Sequence, residues 1–444
     1  GTGLFTGTPP YVWISNQAGN NGVLFGDLNV RAVKDKNDNI ISDGRPSLGF
    51  TGNMDTYKPA EGSATRSDIA ITDPDFKYPS LWKSNIAADY KFGDGWVATV
   101  ELLYSKDINA IYHDNIGLYR TEQFVNDGGA GNARPYYNGY YSDREGNQKA
   151  ANHVVMLRNT SKGHSLYTTF QLQKNFVDGI LKGLYLNGSY SFGQSRGVTD
   201  GTSSVATSAW KYRAALDGNA EEVGYTAGSF DGRLLLSASY TANWSKYAAT
   251  SFGLIYQRYR PFRYSYCYNG DANGDSQFSN DLMYIPANFD EVKDHLLPGD
   301  FDSQEDAWKA MNAFIEQDPY LSKHRGEYAE RNGAVAPFAN QLDLSVSHDI
   351  KIYQKNGRSH TLRFSFNIAN FLNLLNRNWG VVQTTVLGNQ QYQFLTIPKG
   401  QGPSAANNYT LKYTMAKDLD ETFKDNLNDV SRWQMQFGIC LLYT

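Results

Sequence analysis

Leu234-Leu-Leu-Ser-Ala-Ser-Tyr-Thr-Ala-Asn-Trp244 alternates with a period of two. Leu234, Leu236, Ala238, Tyr240, Ala242 and Trp244 fall on one side, and Ser237, Ser239, Thr241 and Asn243 on the other. Successive side chains of a strand point to opposite faces, so the stretch reads as a β-strand with one apolar and one polar face. The same parity recurs outward in both directions. Trp96, Ala98, Val100, Leu102 and Tyr104 oppose Thr99, Glu101 and Ser105; Leu166, Thr168, Phe170 and Leu172 oppose Thr169, Gln171 and Gln173. Leu184, Leu186, Gly188, Tyr190 and Phe192 oppose Asn187, Ser189 and Ser191. Ile86 to Phe92, Thr250 to Tyr256, Leu342 to Val346 and Leu362 to Ile368 carry further copies, and the chain closes with Trp433, Met435, Phe437, Ile439, Leu441 and Tyr443. Nine segments are patterned, and a tenth, partial one is expected near Gly1 to Gly7.

A soluble sandwich also alternates, but its strands run about five or six residues. Segments of about ten residues with aromatics near their ends match the strand of a transmembrane barrel, whose polar face points into the lumen. Connection lengths give a second test, because outer-membrane barrels keep short turns on the periplasmic side and long loops outside. Short links are expected at Gly93 to Gly95, Val177 to Gly179, Ser245-Lys246 and around Tyr353 to Arg358, with long ones at 17–81, 113–153, 197–232, 265–339 and 373–431. The two kinds alternate strictly, which a soluble meander has no reason to do. The fold class is therefore all-β: an antiparallel transmembrane β-barrel wall with long extracellular loops.

Composition agrees. The 444 residues carry 41 Lys+Arg against 45 Asp+Glu, a formal charge of −4, so the basic excess that nucleic-acid binders use to displace counterions is missing. No nucleic-acid partner is expected. Tyr, Phe and Trp make up 14% of the chain, and there are 41 glycines, a mix suited to strands and turns. The mean hydropathy of −0.53 provides no run for a membrane helix. It does not argue against a barrel, whose strands show lipid only every second residue. Cys267 and Cys440 lack the spacing of a zinc or redox motif and read as two unrelated free thiols.

One long loop should carry a helix. Ser303 precedes Asp306 by three residues, an apolar stripe follows at Ala307, Trp308, Met311, Phe314 and Ile315, and Asp318-Pro319 stops it. The stripe is expected to pack on the loop itself. Motifs for chemistry are sparse. The seven histidines form no metal-ligand pair, Gly163-His164-Ser165 lacks the final glycine of a nucleophile elbow, and no phosphate-binding glycine loop occurs. No enzyme activity and no required cofactor are expected. Asp271, Asn273 and Asp275 have the spacing of the first three ligands of a calcium loop. Position six is Ser276 instead of Gly and position twelve is Leu282, although Asp281 stands one residue early and could serve in a shortened loop. Such clusters also form ordinary polar turns. Calcium at Asp271, Asn273 and Asp275 is thus carried forward as a candidate.

Several strings occur in an order that matters together: Gly1-Thr-Gly-Leu-Phe-Thr-Gly followed by Pro10-Tyr-Val-Trp-Ile-Ser-Asn16, Tyr268-Asn-Gly-Asp-Ala-Asn-Gly-Asp275, Asn280-Asp-Leu-Met-Tyr-Ile-Pro286, Phe366-Asn-Ile-Ala-Asn-Phe-Leu-Asn-Leu-Leu-Asn376 and Arg432-Trp-Gln-Met-Gln-Phe-Gly438. Over essentially all of its length the chain resembles the C-terminal barrel half of TonB-dependent outer-membrane receptors, in the Oar-like branch of Bacteroidetes. The resemblance implies a barrel of about 22 strands, an N-terminal plug, a TonB box, and import of a ligand bound on the extracellular loops. About ten strands are present, and nothing here corresponds to plug or TonB box, so residues 1–444 are expected to be the C-terminal part of such a barrel. Implied partners are outer-membrane lipid, the TonB complex acting through the plug, a surface lipoprotein, and a small or oligomeric ligand. The competing reading is a non-transporting surface barrel, an adhesin or structural outer-membrane protein.

Overall fold

The computed structural model describes residues 1–7, 33–34, 40–42, 68–129, 133–141, 153–201, 203, 205–353, 359–388 and 391–443. Ten strands build one antiparallel sheet in strict chain order. They are β1 (Thr2–Thr6), β2 (Ser80–Phe92), β3 (Trp96–Asp107), β4 (Gly163–Asn175) and β5 (Leu184–Gly197). The second half comprises β6 (Phe230–Ser245), β7 (Ala248–Tyr259), β8 (Ala339–Tyr353), β9 (Ser359–Ala369) and β10 (Gln434–Tyr443). A two-residue strand, Gly224–Tyr225, adds to the end of β5. Among the described residues, β1 pairs only with β2 and β10 only with β9, so both outer edges are free.

Register turns the alternation into two continuous faces. Directly opposed residues share a face, and one row runs Leu186, Ala238, Leu254, Leu344, Ile368 and Met435 across six strands. The next row runs Leu184, Tyr240, Phe252, Val346, Phe366 and Phe437. This face is bare: Ile86 is 71% exposed, Tyr90 70%, Phe437 78% and Ile439 73%. Isolated exposed apolar residues need no explanation, but a contiguous apolar sheet face does.

The opposite face is polar and internally bonded. Asn85 donates to Glu101 at 2.6 Å, Thr99 to Asp89 at 2.5 Å, Gln171 to Asn187 at 2.7 Å and Gln257 to Gln341 at 3.0 Å. Arg363 grips Asp349 through two bonds of 2.6 and 2.8 Å.

Links alternate as the sequence predicts. Gly93 to Gly95 join β2 to β3 as expected, whereas the β6–β7 link is Lys246-Tyr247, one residue on from the expected Ser245-Lys246, because Ser245 still pairs with Ala248. The β4–β5 link needs correction: Phe176 and Gly183 still exchange a ladder bond of 2.9 Å, so the turn runs 177–182 and exceeds Val177 to Gly179. Gly179, at a φ of +69°, starts a tight turn in which Lys182 N–H donates to its carbonyl at 3.2 Å. The link between β8 and β9, residues 354–358, lies outside the described residues, as does most of the 17–81 connection. Aromatic residues gather at the short-link end: Phe92 stacks on Tyr90 and Trp96 with centroids 5.9 and 6.2 Å apart, and the Lys174 ammonium lies over Trp96 and Phe176.

The long links are not loose loops. Those following β3, β5, β7 and β9 fold together into a cap with its own core. It contains α1 (Ala206–Lys211) and α2 (Gln304–Gln317). As the capping box predicts, the Ser303 side chain accepts the Asp306 N–H, and Ala307, Met311, Phe314 and Ile315 are buried against the cap. Among the described residues no helix is long and apolar enough to cross a membrane.

Candidate functional site

The cap owes its rigidity to aromatic packing. Tyr264, Tyr266, Tyr268, Tyr392 and Phe394 are almost wholly buried, and Phe314 from α2 meets Phe394 at 4.8 Å between centroids. Buried hydroxyls need partners. Tyr266 donates to Asp318 Oδ2 at 2.6 Å, Thr422 donates to the same oxygen at 2.7 Å, and Asp318 Oδ1 takes the Tyr320 and Leu321 N–H groups at the end of α2. One carboxylate thus ties three separate loop segments together.

Asp271, Asp275 and Asp281 each bring a ligand oxygen within 4.8 Å of the others. The local chain enforces this. Asp271 accepts Asn273, Gly274 and Ser276 N–H at 3.1, 2.6 and 2.8 Å, which coils the segment around its carboxylate. Gly274 sits at a φ of +82°, where an added Cβ would come within 2.1 Å of the Tyr137 carbonyl, so only glycine fits. Asn273 Oδ1 accepts the Asp275 N–H at 2.9 Å, and Asp275 Oδ1 accepts Gln277 N–H at 2.8 Å. Asp281 is the residue the twelve-position loop pattern placed one step early. It joins the cluster from across the turn, where its Oδ2 accepts Ala272 N–H at 2.8 Å.

Charge in this cluster is crowded and dry. Burial raises the pKa of Asp281 to about 7, against the opposing pull of Arg134, and burial likewise raises Asp271 and Asp275. Arg134 is fully buried between Asp281 at 2.9 Å and Asp127 at 3.3 Å, its third nitrogen donates to the Leu282 carbonyl, and it lies over the Tyr268 and Tyr328 rings. Tyr328 completes Asp127 with a bond of 2.8 Å. One guanidinium therefore balances part of a group of four carboxylates, which is the electrostatic setting a divalent cation would relieve. The donor set fits a hard cation: carboxylate oxygens, with Asn273 Oδ1 keeping one lone pair beyond its backbone bond.

Sequence reasoning missed Arg134, Asp127 and the buried histidines His113 and His153. Arg134 stands 147 residues from Asp281, and no local spacing announces such a pair. Burial holds His113 down to about 4, with Arg213 adding to the effect, and burial holds His153 to about 4 as well. His153 meets Asn115 at 2.8 Å and packs on Trp210. Cys267 is buried in the cap core, whereas Cys440 is exposed on β10, and both thiols are free. Comparison with protein-family models, with curated proteins and with solved structures found no match to this chain.

Proposed function

We propose that this chain forms part of the wall and the outer cap of an outer-membrane β-barrel receptor that binds a ligand on its extracellular loops and imports it with energy delivered through TonB. The observation that carries the membrane part is the continuous, exposed apolar face backed by a hydrogen-bonded polar face. In water that face would drive association; against lipid tails it is the expected outer surface, with Trp96, Trp244 and Phe92 at the interfacial level. Strands of ten to sixteen residues in β2 to β10 reach or exceed the nine to eleven or so that a tilted strand needs to cross. A ten-stranded sheet with two free edges is then a segment of wall, completed by further strands.

Placing the cap outside follows from the same asymmetry, since long links lie at one end and short ones at the other. A folded cap of this size favours recognition over passive diffusion. Coupling to TonB rests on the family resemblance and would run through a plug beyond these residues; a surface lipoprotein would sit over the cap. Within the cap, Asp271, Asn273, Asp275 and Asp281 would hold calcium as a structural ion. No covalent chemistry is asked of any residue.

The deciding experiment is fractionation with single-cysteine labelling in a strain carrying or lacking TonB. Outer-membrane residence with TonB-dependent uptake of ligand supports the receptor. Outer-membrane residence with binding but TonB-independent behaviour supports the second reading, a non-transporting adhesin or structural barrel. Recovery as a detergent-independent soluble protein would refute both.

A further inference from the structure

The C-terminal half of α2 and the segment 415–420 of the link after β9 leave a groove of about 510 Å³ between them. That volume suits a small organic ligand. The groove traces to side-chain size. Ala310, Ala313, Phe314 and Gln317 recur at helical spacing and share one side of α2, and the two alanines leave room there that longer side chains would fill. Ala313 is exposed. Phe301, Met415 and Leu419 complete an apolar floor that continues into the cap core.

The rim is anionic. Asp418 and Asp420 line the groove, both are exposed, and among the described residues neither has an ion-pair or hydrogen-bond partner. Cations nearby do not answer them: Lys309, the one lysine of α2, is held by Asp306 at 2.9 Å, and the exposed Lys417 does not line the groove. The last turn of α2 contains no basic residue, so no side chain of the helix offsets the partial negative charge of its terminal carbonyls beside Gln317. An apolar floor edged by unpaired carboxylates complements a molecule with an apolar body and one positive end.

We infer that this groove binds a small organic ammonium ion, its apolar body seated on Phe301, Ala313 and Leu419 and its N–H donors turned to Asp418 and Asp420. The inference deepens the reading of the cap as the ligand-binding element, and it rests on that reading only for the groove's position outside the cell. Binding to the purified chain is read without membrane or TonB, so the two stand or fall separately.

The test titrates the full chain in nonionic detergent at neutral pH with phenethylammonium, phenethyl alcohol and phenylpropionate, by calorimetry, subtracting the same titrations into protein-free detergent. Saturable binding of the ammonium ion is expected, about fivefold or more tighter than the alcohol, with the carboxylate weakest. Asp418 holds a φ of +57°, a left-handed conformation that asparagine also accepts, so Asp418→Asn with Asp420→Asn removes charge without straining the turn. That double variant should bring ammonium and alcohol to within about twofold of each other. Ala313→Phe, at an exposed helix position, should fill the groove and abolish binding of all three. No saturable binding of the ammonium ion overturns the proposal, as does equal binding of ammonium and alcohol by the unsubstituted chain, or an ammonium affinity unchanged in Ala313→Phe. If Ala313→Phe disturbs the cap, a preference for ammonium retained in the double variant overturns the proposal by itself.

Discussion

Placing an arginine on each face of β6 separates a lipid-facing wall from a soluble sheet. Ala238 lies in the row between Leu186 and Leu254, and Ser239 lies one residue on, opposite Tyr185 and Gly253 on the polar face. Trp244 is the aromatic marker of the short-link end, six residues beyond Ala238. Six residues at about 3.3 Å each, on a strand tilted about 40°, place Ala238 about 15 Å above that marker. An apolar band about 25 Å tall then has its midplane within about 3 Å of Ala238. Ala238→Arg should accordingly cost about 2–4 kcal/mol, the midplane value for arginine on the lipid side, whereas Ser239→Arg, facing water in a lumen, should cost less than about 1 kcal/mol. Reversible unfolding in urea, with the protein reconstituted in lipid vesicles, reads both. Equal penalties on the two faces would refute the lipid assignment, and a larger one at Ser239 would mean that the polar face, not the apolar one, is withdrawn from water.

Arg134→Met leaves Asp127 and Asp281 buried without their cation, so cap stability should fall by about 3–5 kcal/mol, and the Arg134→Met/Asp281→Asn double variant should recover part of it; thermal melting decides, and additive losses would contradict the coupling. Calcium should stabilise the cap with a dissociation constant of about 10⁻⁴ to 10⁻³ M, measured by calorimetry, and submicromolar binding abolished by Asp271→Ala would show a stronger site. Its effect should depend on pH with a definite sign. The Asp281 pKa is raised when folded, so the stability contribution of the neutral acid is present below about pH 4 and lost as pH climbs through about 7; the calcium-induced rise in melting temperature should be largest above pH 7 and vanish near pH 5. His113 and His153 titrate with the opposite sign: folded pKa values of about 4 lie below the unfolded value, so their contribution is full above about pH 6.5 and lost as pH falls through 4. His113→Gln with His153→Gln should flatten that acid-side loss. Cysteine placed at Ile180, which is 99% exposed in a short link, should resist an impermeant label on intact cells, whereas cysteine at Asp290 in the cap should accept it; the reverse pattern would invert the topology.

The strands were legible because their information is local. Leu234 to Trp244 shows its two faces in eleven consecutive residues, and register then follows from aligning apolar positions across each hairpin. Helix α2 was legible for the same reason, with the Ser303 cap and the Met311–Phe314–Ile315 stripe close together. The cap core was not. Tyr264, Tyr266 and Tyr268 sit on alternate positions of a segment rich in polar residues, and Tyr392 and Tyr413, which pack on Tyr266 and Tyr268, arrive from the link after β9, where Tyr392 also stacks on Phe314 of α2. Nothing periodic in any one link announces such a core. The calcium pattern was half legible: the Asp271–Asn273–Asp275 spacing is local, but the charge that opposes it, Arg134, comes from the link after β3. The low mean hydropathy misled in neither case, since the same composition serves a bare apolar face on the sheet and a fully buried one in the cap.

The free edges decide what kind of object the sheet belongs to. In an antiparallel strand every second residue turns both its N–H and its C=O away from a given neighbour. Over the ten residues of β10, about five of each therefore point to the open side. In hydrocarbon each unpaired group costs several kcal/mol, so the open edge alone would cost tens, well above the roughly 5–15 kcal/mol that holds a domain folded. In a membrane, as proposed, the edge must therefore be paired. Closure of β10 onto β1 would pair the five described residues of β1 with part of the ten of β10. It would also turn the side chains of Glu101, Gln171, Gln173, Asp343 and Arg363 into a narrow lumen. Pairing with further strands satisfies the whole edge and widens the lumen enough for these polar groups to keep their water. On the proposed receptor reading, a lumen of that width would call for a plug.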